Sequence, residues 1–308
     1  MIAETNPMKE FFEKIGQRTF KTESTWWHEV QPGVLLSFPY YKLISPSCGE
    51  LDTLFKTYNL KAVRFPTPLE GYGFPASLEL NTNPQFNLDL LERESRRQTR
   101  RGLEACTYQQ IDFDFLKSEG LKLNIDTADR QGRKTIYTDL KYWDNYCDAG
   151  KATQGMEAWG VLVDGKLGTY LVSAEFDGWW NWLLTHSSSE YLKQRTSNVL
   201  FYEGPRNFFE HNPDKKICYG LSSLEDVDKL DYFKINMGVQ IQPVKQRIVF
   251  AKKYKMVFNH TPEFALSFLN SLFPKSYTVR KATSMIRLYK QQTSEVPKTM
   301  EQQDKNGK

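Results

Sequence analysis

One stretch of the chain, residues 158–250, constrains the fold most because its pattern describes a single continuous topology. Two Asp-Gly pairs, at 164–165 and 177–178, separate three apolar runs at 159–163, 167–174 and 179–184. Asp-Gly supplies the positive φ angles of a tight hairpin turn, so these runs are predicted to form a three-stranded antiparallel meander. A helical pattern at 196–211, a short strand at 216–220, a helix at 224–237 and a strand at 239–250 follow. This order predicts a mixed α/β layer that opens a cleft.

The first 120 or so residues also alternate strand and helix patterns, and a chain of 308 residues is long enough for two modest domains. Apolar residues make up 40% of the sequence and aromatic residues 14%, which is enough to bury a core in each domain. We therefore predict an α/β (α+β) fold with two domains, each a mixed and mostly antiparallel sheet flanked by helices. The polar segment 125–132 is the expected connection, and residues 291–308 are expected to form a disordered tail.

Composition disfavours several classes of protein. The longest apolar runs fall well short of the ~20 residues of a membrane span, and the first residues lack the pattern of a signal peptide. The four cysteines form no CxxC pair and the four histidines no HxH or HxxxH spacing, so no metal site is predicted. A net charge of +4 is too mild to indicate DNA binding. We expect a cytoplasmic protein with reduced thiols and no membrane span.

Three residues are candidates for acid–base chemistry near the predicted cleft. His186 ends the third strand of the meander and Glu175 lies near the end of the second, so either could act as a general base. Tyr232, on the helix at 224–237, could protonate a leaving group. The alternatives are a structural histidine and a tyrosine that only completes a hydrogen bond. No GxSxG, Walker or GxGxxG motif supports a hydrolase, an NTPase or a dinucleotide-binding protein.

The loop at 185–198 is a candidate anion site because it precedes a helix start. Free backbone N–H groups at a helix N-terminus attract phosphate, and Lys193 and Arg195 would add positive charge. Ser197 and Asn198 could donate hydrogen bonds to the same ligand. The alternative is a solvated loop in which Ser197 or Asn198 only caps the helix.

Five arginines fall within nine residues on a predicted helix, and i,i+3 and i,i+4 spacing puts most of them on one side. Arg97, Arg100 and Arg101 could therefore bind a phosphorylated or polyanionic substrate by bidentate contacts, and we expect at least one to face the cleft between the domains. The alternative is a solvated helix face with neighbouring glutamates as partners.

Three segments together resemble a known family. They are the meander Trp-Gly-Val-Leu-Val-Asp-Gly-Lys-Leu-Gly at 159–168, the run Asp-Tyr-Phe-Lys-Ile-Asn-Met-Gly at 231–238, and the basic Arg-Gln-Thr-Arg-Arg-Gly-Leu-Glu at 97–104. The pattern is similar to the GNAT acyltransferase fold in its Fem-type, peptidyltransferase-like branch. That branch is found in bacterial envelope and polysaccharide clusters.

The resemblance implies tandem GNAT-like domains: a degenerate one at 1–124 and an acyltransferase domain at 125–258, followed by a helical extension at 259–290 and the tail at 291–308. It implies an enzyme that moves an acyl group from acyl-CoA, or from an aminoacyl carrier, to an amine or hydroxyl. The acceptor would be an amino sugar, an amino acid or a peptide, in cell-envelope or polysaccharide synthesis. No metal is implied, and tRNA is an implied partner only for an aminoacyl donor.

One departure from the family pattern leaves a second hypothesis open. Typical coenzyme A-dependent members carry a glycine-rich pyrophosphate loop before the middle helix, whereas residues 190–198 contain no glycine. The alternative function is a non-catalytic GNAT-fold scaffold or anionic-ligand-binding protein.

Overall fold

The computed structural model describes residues 6–132, 134–222, 228–255, 261–273 and 276–294. The strands are β1 (Thr19–Lys21), β2 (Trp26–Gln31), β3 (Val34–Phe38), β4 (Ala62–Thr67), β5 (Phe74–Asn81), β6 (Thr107–Ile111), β7 (Met156–Val163), β8 (Lys166–Phe176), β9 (Trp179–Ser187), β10 (Lys216–Leu221) and β11 (Gln240–Phe250). The helices are α1 (Pro7–Lys14), α2 (Cys48–Tyr58), α3 (Arg93–Ala105), α4 (Phe113–Arg130), α5 (Leu140–Ala152), α6 (Thr196–His211), α7 (Asp228–Asn236), α8 (Glu263–Leu272) and α9 (Tyr277–Ser294).

The chain divides into two compact units. The first unit comprises Met1–Arg18, Leu78–Gly220 and Val227–Gln242, and the second comprises Thr19–Ser77, Leu221–Asp226 and Pro243–Lys308. In the first unit the strand order is β5-β10-β9-β8-β7-β6, with β5 contributing its last residues; in the second it is β1-β2-β3-β4-β11. Each unit is a mixed, mostly antiparallel sheet flanked by helices, which confirms the predicted fold class.

The meander of the first unit forms at the predicted positions. β7 pairs with β8 and β8 with β9, both antiparallel. Asp164 and Gly165 have φ angles of 49° and 77°, and Asp177 and Gly178 have 51° and 72°. Two successive positive φ angles match the right-handed twist of the flanking strands, so both Asp-Gly pairs close tight hairpins.

β9 then separates from the strand beside it. β10 runs parallel to β9, but their register covers only Lys216↔Trp179, Ile217↔Trp180 and Cys218↔Asn181. Beyond that point β9 continues to Ser187 while pairing only with β8, and a bulge shifts the β8–β9 register between Val172 and Ser173. The bulge increases the local twist and bends β9, so the two parallel strands diverge.

Helix α6 connects the diverging strands and packs on an aromatic core. Trp180 stacks on Phe208 with ring centroids 4.9 Å apart, and Trp182 meets Phe201 edge-on at 5.0 Å. The sequence pattern predicts a kink or a break at Gly204-Pro205; α6 contains Pro205 and continues to His211. Gly204 explains the close packing there, because a Cβ at that position would lie 3.1 Å from the Trp182 ring.

The second unit repeats the same topological step on a smaller scale. β1, β2 and β3 are antiparallel neighbours, α2 crosses over, and β4 returns parallel to β3. β11 then pairs antiparallel with β4 from Lys245↔Thr67 to Phe250↔Ala62. Helices α8 and α9 pack on this unit through a cluster that includes Leu266, Met285, Ile286 and Tyr289.

Two segments expected to be a connection and a tail contain residues that lie in helices. Residues 125–130, expected in a linker, belong to the long helix α4, which Asp112 caps through a 2.7 Å hydrogen bond from the Phe115 N–H. Residues 291–294, expected in a disordered tail, are the last turn of α9, where Gln292 is buried. Residues 224–227 of the predicted helix and 295–308 of the predicted tail lie outside the described residues, and the predicted domain ranges stay a prediction.

Candidate functional site

A cavity of about 600 Å³ lies in the first unit, where β9 diverges from β10. The part of β9 that continues beyond its pairing with β10, from Trp182 to Ser187, forms one wall. The first turn of α6 closes one end. Residues of α4, α3, β10 and α7 complete the lining. The cavity therefore follows from the fold itself, because the strand divergence leaves space that no other strand fills.

His186 lies in this wall and belongs to a buried hydrogen-bond network. The side-chain amide of the fully buried Asn124 donates through Nδ2 to the Tyr137 carbonyl at 2.9 Å. Its Oδ1 accepts from the Tyr170 hydroxyl and lies 2.7 Å from His186 Nδ1. Because an amide oxygen can only accept, His186 Nδ1 carries the proton and Nε2 is the basic atom. Burial, and then the positive charge of Arg130, lower the pKa of His186 to about 4.

Helix α4 also holds the loop that follows β9. Arg130 donates through Nη1 to Ser189 Oγ at 3.0 Å and through Nη2 to Ser187 Oγ at 3.1 Å. Thr127 Oγ1 donates to the Ser187 carbonyl at 3.0 Å, and Asp126 accepts from both the N–H and the hydroxyl of Ser189. These contacts fix the path of the chain from His186 to the start of α6.

The start of α6 presents backbone donors to the cavity. Arg195, the N-cap residue, has φ of 62° and makes no side-chain capping hydrogen bond. The Thr196 side chain is buried, and its hydroxyl accepts from Thr169 Oγ1 at 2.7 Å. Among the described residues, no side-chain cap is therefore found at this helix start, where Ser197 and Asn198 line the cavity. In the part of the chain that the structure describes, Arg195 has no ion pair.

The other end of the cavity is aromatic and carries one buried ion pair. Trp182, Tyr219 and Phe233 contribute rings to the lining. Lys234 also lines the cavity, and its ammonium lies 2.5 Å from Oε2 of Glu79, whose side chain is only 2% exposed. The lining thus combines backbone and cationic groups at the start of α6 with aromatic rings and the Lys234–Glu79 ion pair.

Four of the predicted site residues lie in the cavity lining: His186, Arg195, Ser197 and Asn198. This cavity does not bring together His186, Glu175 and Tyr232, which were predicted to lie on one cavity. Glu175 lies on β8, where it pairs with Trp180 of β9, five strand positions from the pair Tyr170↔His186. Its carboxylate forms an ion pair with Lys215. Tyr232 is 67% exposed and lies outside the lining, whereas the next residues of α7 face it. Lys193 is exposed and also outside the lining.

The predicted substrate-binding arginines also lie outside this cavity. Arg97, Arg100 and Arg101 are all exposed on α3, and Arg97 makes a bidentate pair with Glu94 at 2.9 and 2.7 Å. The residue of α3 that lines the cavity is Gln98. The contacts of Arg97 are those of the solvated-face alternative, and a substrate-binding role for the three arginines stays a prediction.

Sequence reasoning missed Asn124, Arg130 and Lys234. Asn124 and Arg130 lie in the stretch taken for a linker, and their signal would have been the helical recurrence of Leu116, Leu123 and Thr127. Lys234 lies in the segment 231–238 that carries the family resemblance, but the sequence pattern does not indicate that Lys234, rather than Tyr232, faces the cavity.

The architecture has clear counterparts among solved structures. FemX superposes with a TM-score of 0.56 at 13% identity, over 83% of this chain and 94% of that one. The C-terminal domain of a protein assigned as a lysylphosphatidylglycerol synthetase from Agrobacterium fabrum gives 0.55 at 10% identity, over 84% and 92%. L-PGS from Bacillus licheniformis gives 0.50 at 13% identity, over 80% and 89%. This chain has a Fem-like GNAT fold.

At these identities the likeness establishes the fold alone. No protein-family model and no curated protein matches the sequence. Within the described ranges, no group of three or more His, Cys, Asp or Glu residues could hold a metal ion. No described helix is both long and apolar enough to cross a membrane.

Proposed function

We propose that this chain transfers an acyl or aminoacyl group from an activated carrier to an amine or hydroxyl, with the donor held in the cavity of the first unit. The observation that carries the proposal is the meeting of three features on one cavity. These are the unpaired edge of β9, the start of α6 without a side-chain cap, and His186 with its basic nitrogen defined by Asn124.

The donor's anionic part would bind at the start of α6. The first N–H groups of a helix attract anions, and Arg195 adds a full positive charge. Such a site could bind an anion without a glycine-rich loop. Thr196 leaves room for this contact because its hydroxyl turns to Thr169 inside the unit. Acyl-CoA fits this end through its phosphates, and an aminoacyl carrier with a terminal nucleotide would present the same chemistry.

His186 would act as the general base. The acceptor's nitrogen or oxygen attacks the acyl carbonyl carbon, and its proton passes to Nε2 of His186. Backbone N–H groups on the unpaired part of β9 are available to the developing oxyanion. The intermediate then collapses, the bond from the acyl carbon to the carrier breaks, and a thioester carrier leaves as a thiolate. We propose an amino sugar, amino acid or peptide acceptor from cell-envelope or polysaccharide synthesis.

Calorimetry with coenzyme A tests the donor site. Arg195→Ala should weaken binding about tenfold or more, because a charge-assisted contact contributes about 1.5–3 kcal/mol. Lys193→Ala is the matched control: it removes an exposed cation two residues away that does not line the cavity, so binding should stay unchanged. Equal behaviour of the two variants, or no binding of coenzyme A and of a 3′-aminoacyl adenosine, would refute the proposal.

Turnover of acetyl-CoA with a panel of amine acceptors tests the chemistry. His186→Asn should bind coenzyme A normally and lose about 100-fold or more of its rate, because a positioned base gives about that factor. Tight binding with no turnover by the wild type on any acceptor would favour the binding-protein alternative.

A further inference from the structure

One face of α8 exposes an unusual amount of apolar surface. Phe264, Phe268 and Leu272, at i, i+4 and i+8, are 75%, 61% and 53% exposed. Leu269 and Phe273 beside them are 41% and 52% exposed. Residues at this spacing form one stripe on a helix, so five large apolar side chains lie together in solvent.

The exposure does not result from a loosely attached helix. On its inner side Leu266 is only 1% exposed and packs with Phe250, Met285 and Tyr289. Asn270 accepts a 2.9 Å hydrogen bond from the Thr283 hydroxyl of α9. The outward stripe is therefore additional to the apolar surface that the fold itself needs.

The segment of the sequence that contains α8 is strongly basic. Residues 243–294 contain ten Lys and Arg residues and a single acidic residue, Glu263, a net charge of +9 in a chain whose total is only +4. The one acidic group is paired, since Arg287 Nε lies 2.5 Å from Glu263 Oε1 and Arg287 Nη2 donates to Ser267 at 3.0 Å. The Lys290 ammonium donates to the Thr261 carbonyl just before α8.

We propose that α8 inserts its apolar stripe into the surface of an anionic lipid bilayer, with the basic residues of 243–294 held by the lipid headgroups. Large apolar residues on one helix face, together with cations such as Arg287 and Lys290 on the neighbouring helix, are features of a segment that lies in the interface plane. The proposal is independent of the proposed function, because all of these residues belong to the second unit.

Two other occupants of the stripe fit less well. A second copy would bring another +9 segment against the first, and like charges oppose such a contact. The chain's own residues 295–308 offer only Val296, Pro297 and Met300 as apolar residues, and the rest are charged, polar or glycine. That segment cannot match three aromatic rings and two leucines.

Vesicle co-sedimentation of the full chain tests the proposal. The wild type should bind vesicles that contain phosphatidylglycerol more tightly than pure phosphatidylcholine vesicles, and high salt should weaken the binding. The double variant Phe264→Ser with Phe268→Ser should bind the anionic vesicles at least about 30-fold more weakly, because it lacks the two rings that would be buried in the bilayer. Ile136→Ser with Leu140→Ser is the matched control, since both side chains are more than half exposed in the first unit.

Circular dichroism and gel filtration of every variant make the outcome decisive. Equal binding by the two double variants, or no preference of the wild type for anionic lipid, would overturn the proposal. A wild-type dimer that Phe264→Ser with Phe268→Ser converts to a monomer would overturn it in favour of a second copy. Tight binding of an oligoribonucleotide that displaces the vesicles would overturn it in favour of a nucleic-acid surface.

Discussion

Acidification should destabilise this protein through His186, and the size of the effect follows from its pKa. Burial and Arg130 lower that pKa from 6.5 to about 4, so the unfolded chain takes up the proton first as the pH falls. The contribution to stability is therefore complete above pH 6.5 and is lost as the pH falls towards 4. Between about pH 7 and about pH 5 the loss should be about 2 kcal/mol in the free energy of unfolding.

His186→Asn isolates this contribution. The asparagine amide can donate to Asn124 Oδ1 from roughly the position of Nδ1, but it does not titrate. Urea unfolding of the wild type and the variant should give a stability difference that shrinks by about 2 kcal/mol over that pH range. His28, whose pKa burial and Arg64 lower to about 3, is present in both proteins, so its effect cancels.

His211→Asn serves as the control, because His211 is exposed at the end of α6. The reasoning is refuted if His186→Asn keeps the full wild-type pH dependence. A carbon-13 NMR titration that places the pKa of His186 near 6.5 would refute it independently.

Three further substitutions test the packing around both units. Asn124→Leu leaves the Tyr170 hydroxyl and the His186 Nδ1–H without their acceptor, so urea unfolding should show a loss of about 2–4 kcal/mol. Gly102→Ala puts a Cβ 2.6 Å from Val199 Cγ2 on α6, so it should cost about 1–3 kcal/mol and weaken coenzyme A binding. Gln292→Ala removes hydrogen bonds of 3.1 and 2.6 Å to the Ile248 backbone and should cost about 2–3 kcal/mol in thermal unfolding.

The hairpins could be predicted because their cause is local. An Asp-Gly pair determines its own φ angles, and the alternation of side chains beside it determines the strands, so the meander at 156–187 needs little information from elsewhere. The crossover from β9 through α6 to β10 follows for the same reason, since each element has its own periodicity. The resemblance to the Fem-like GNAT fold adds the segments 97–104 and 231–238 to this meander.

The second half of α4 was not recognised as a helix because α4 buries polar residues. Gly120, Asn124 and Thr127 occupy inward positions on the same helix as Leu116 and Leu123, which interrupts the apolar stripe and makes the second half of the helix look solvated. Those polar positions support His186 and the loop after β9. The residues that conceal the helix in the sequence are thus the ones that build the site.

The catalytic roles of His186, Glu175 and Tyr232 stay a prediction, and this cavity does not bring the three together, because their grouping depends on distances that sequence spacing does not give. Both Glu175 and His186 lie near strand ends, but five strand positions separate the pairs Tyr170↔His186 and Glu175↔Trp180, about 17 Å along the sheet. On α7, the exposed Tyr232 and the cavity-lining Phe233 are consecutive residues, so their side chains point to different sides of the helix. Only the packing of the helix decides which of the two faces the site.

A bound anion should raise the pKa of His186, and this shift links the donor site to the base. Arg130 contributes to the low pKa of His186, so a phosphate held at the start of α6 would offset that positive charge. At an effective dielectric constant of about 20 and a separation of about 10 Å, one charge contributes about 1.7 kcal/mol, or about one pKa unit. NMR titration with saturating coenzyme A should show this rise in the pKa of His186 for the wild type and for Lys193→Ala. At the same coenzyme A concentration, the pKa of His186 should rise less in Arg195→Ala. A pKa that stays constant or falls on binding would place the anion away from His186 and exclude it as the base in the complex.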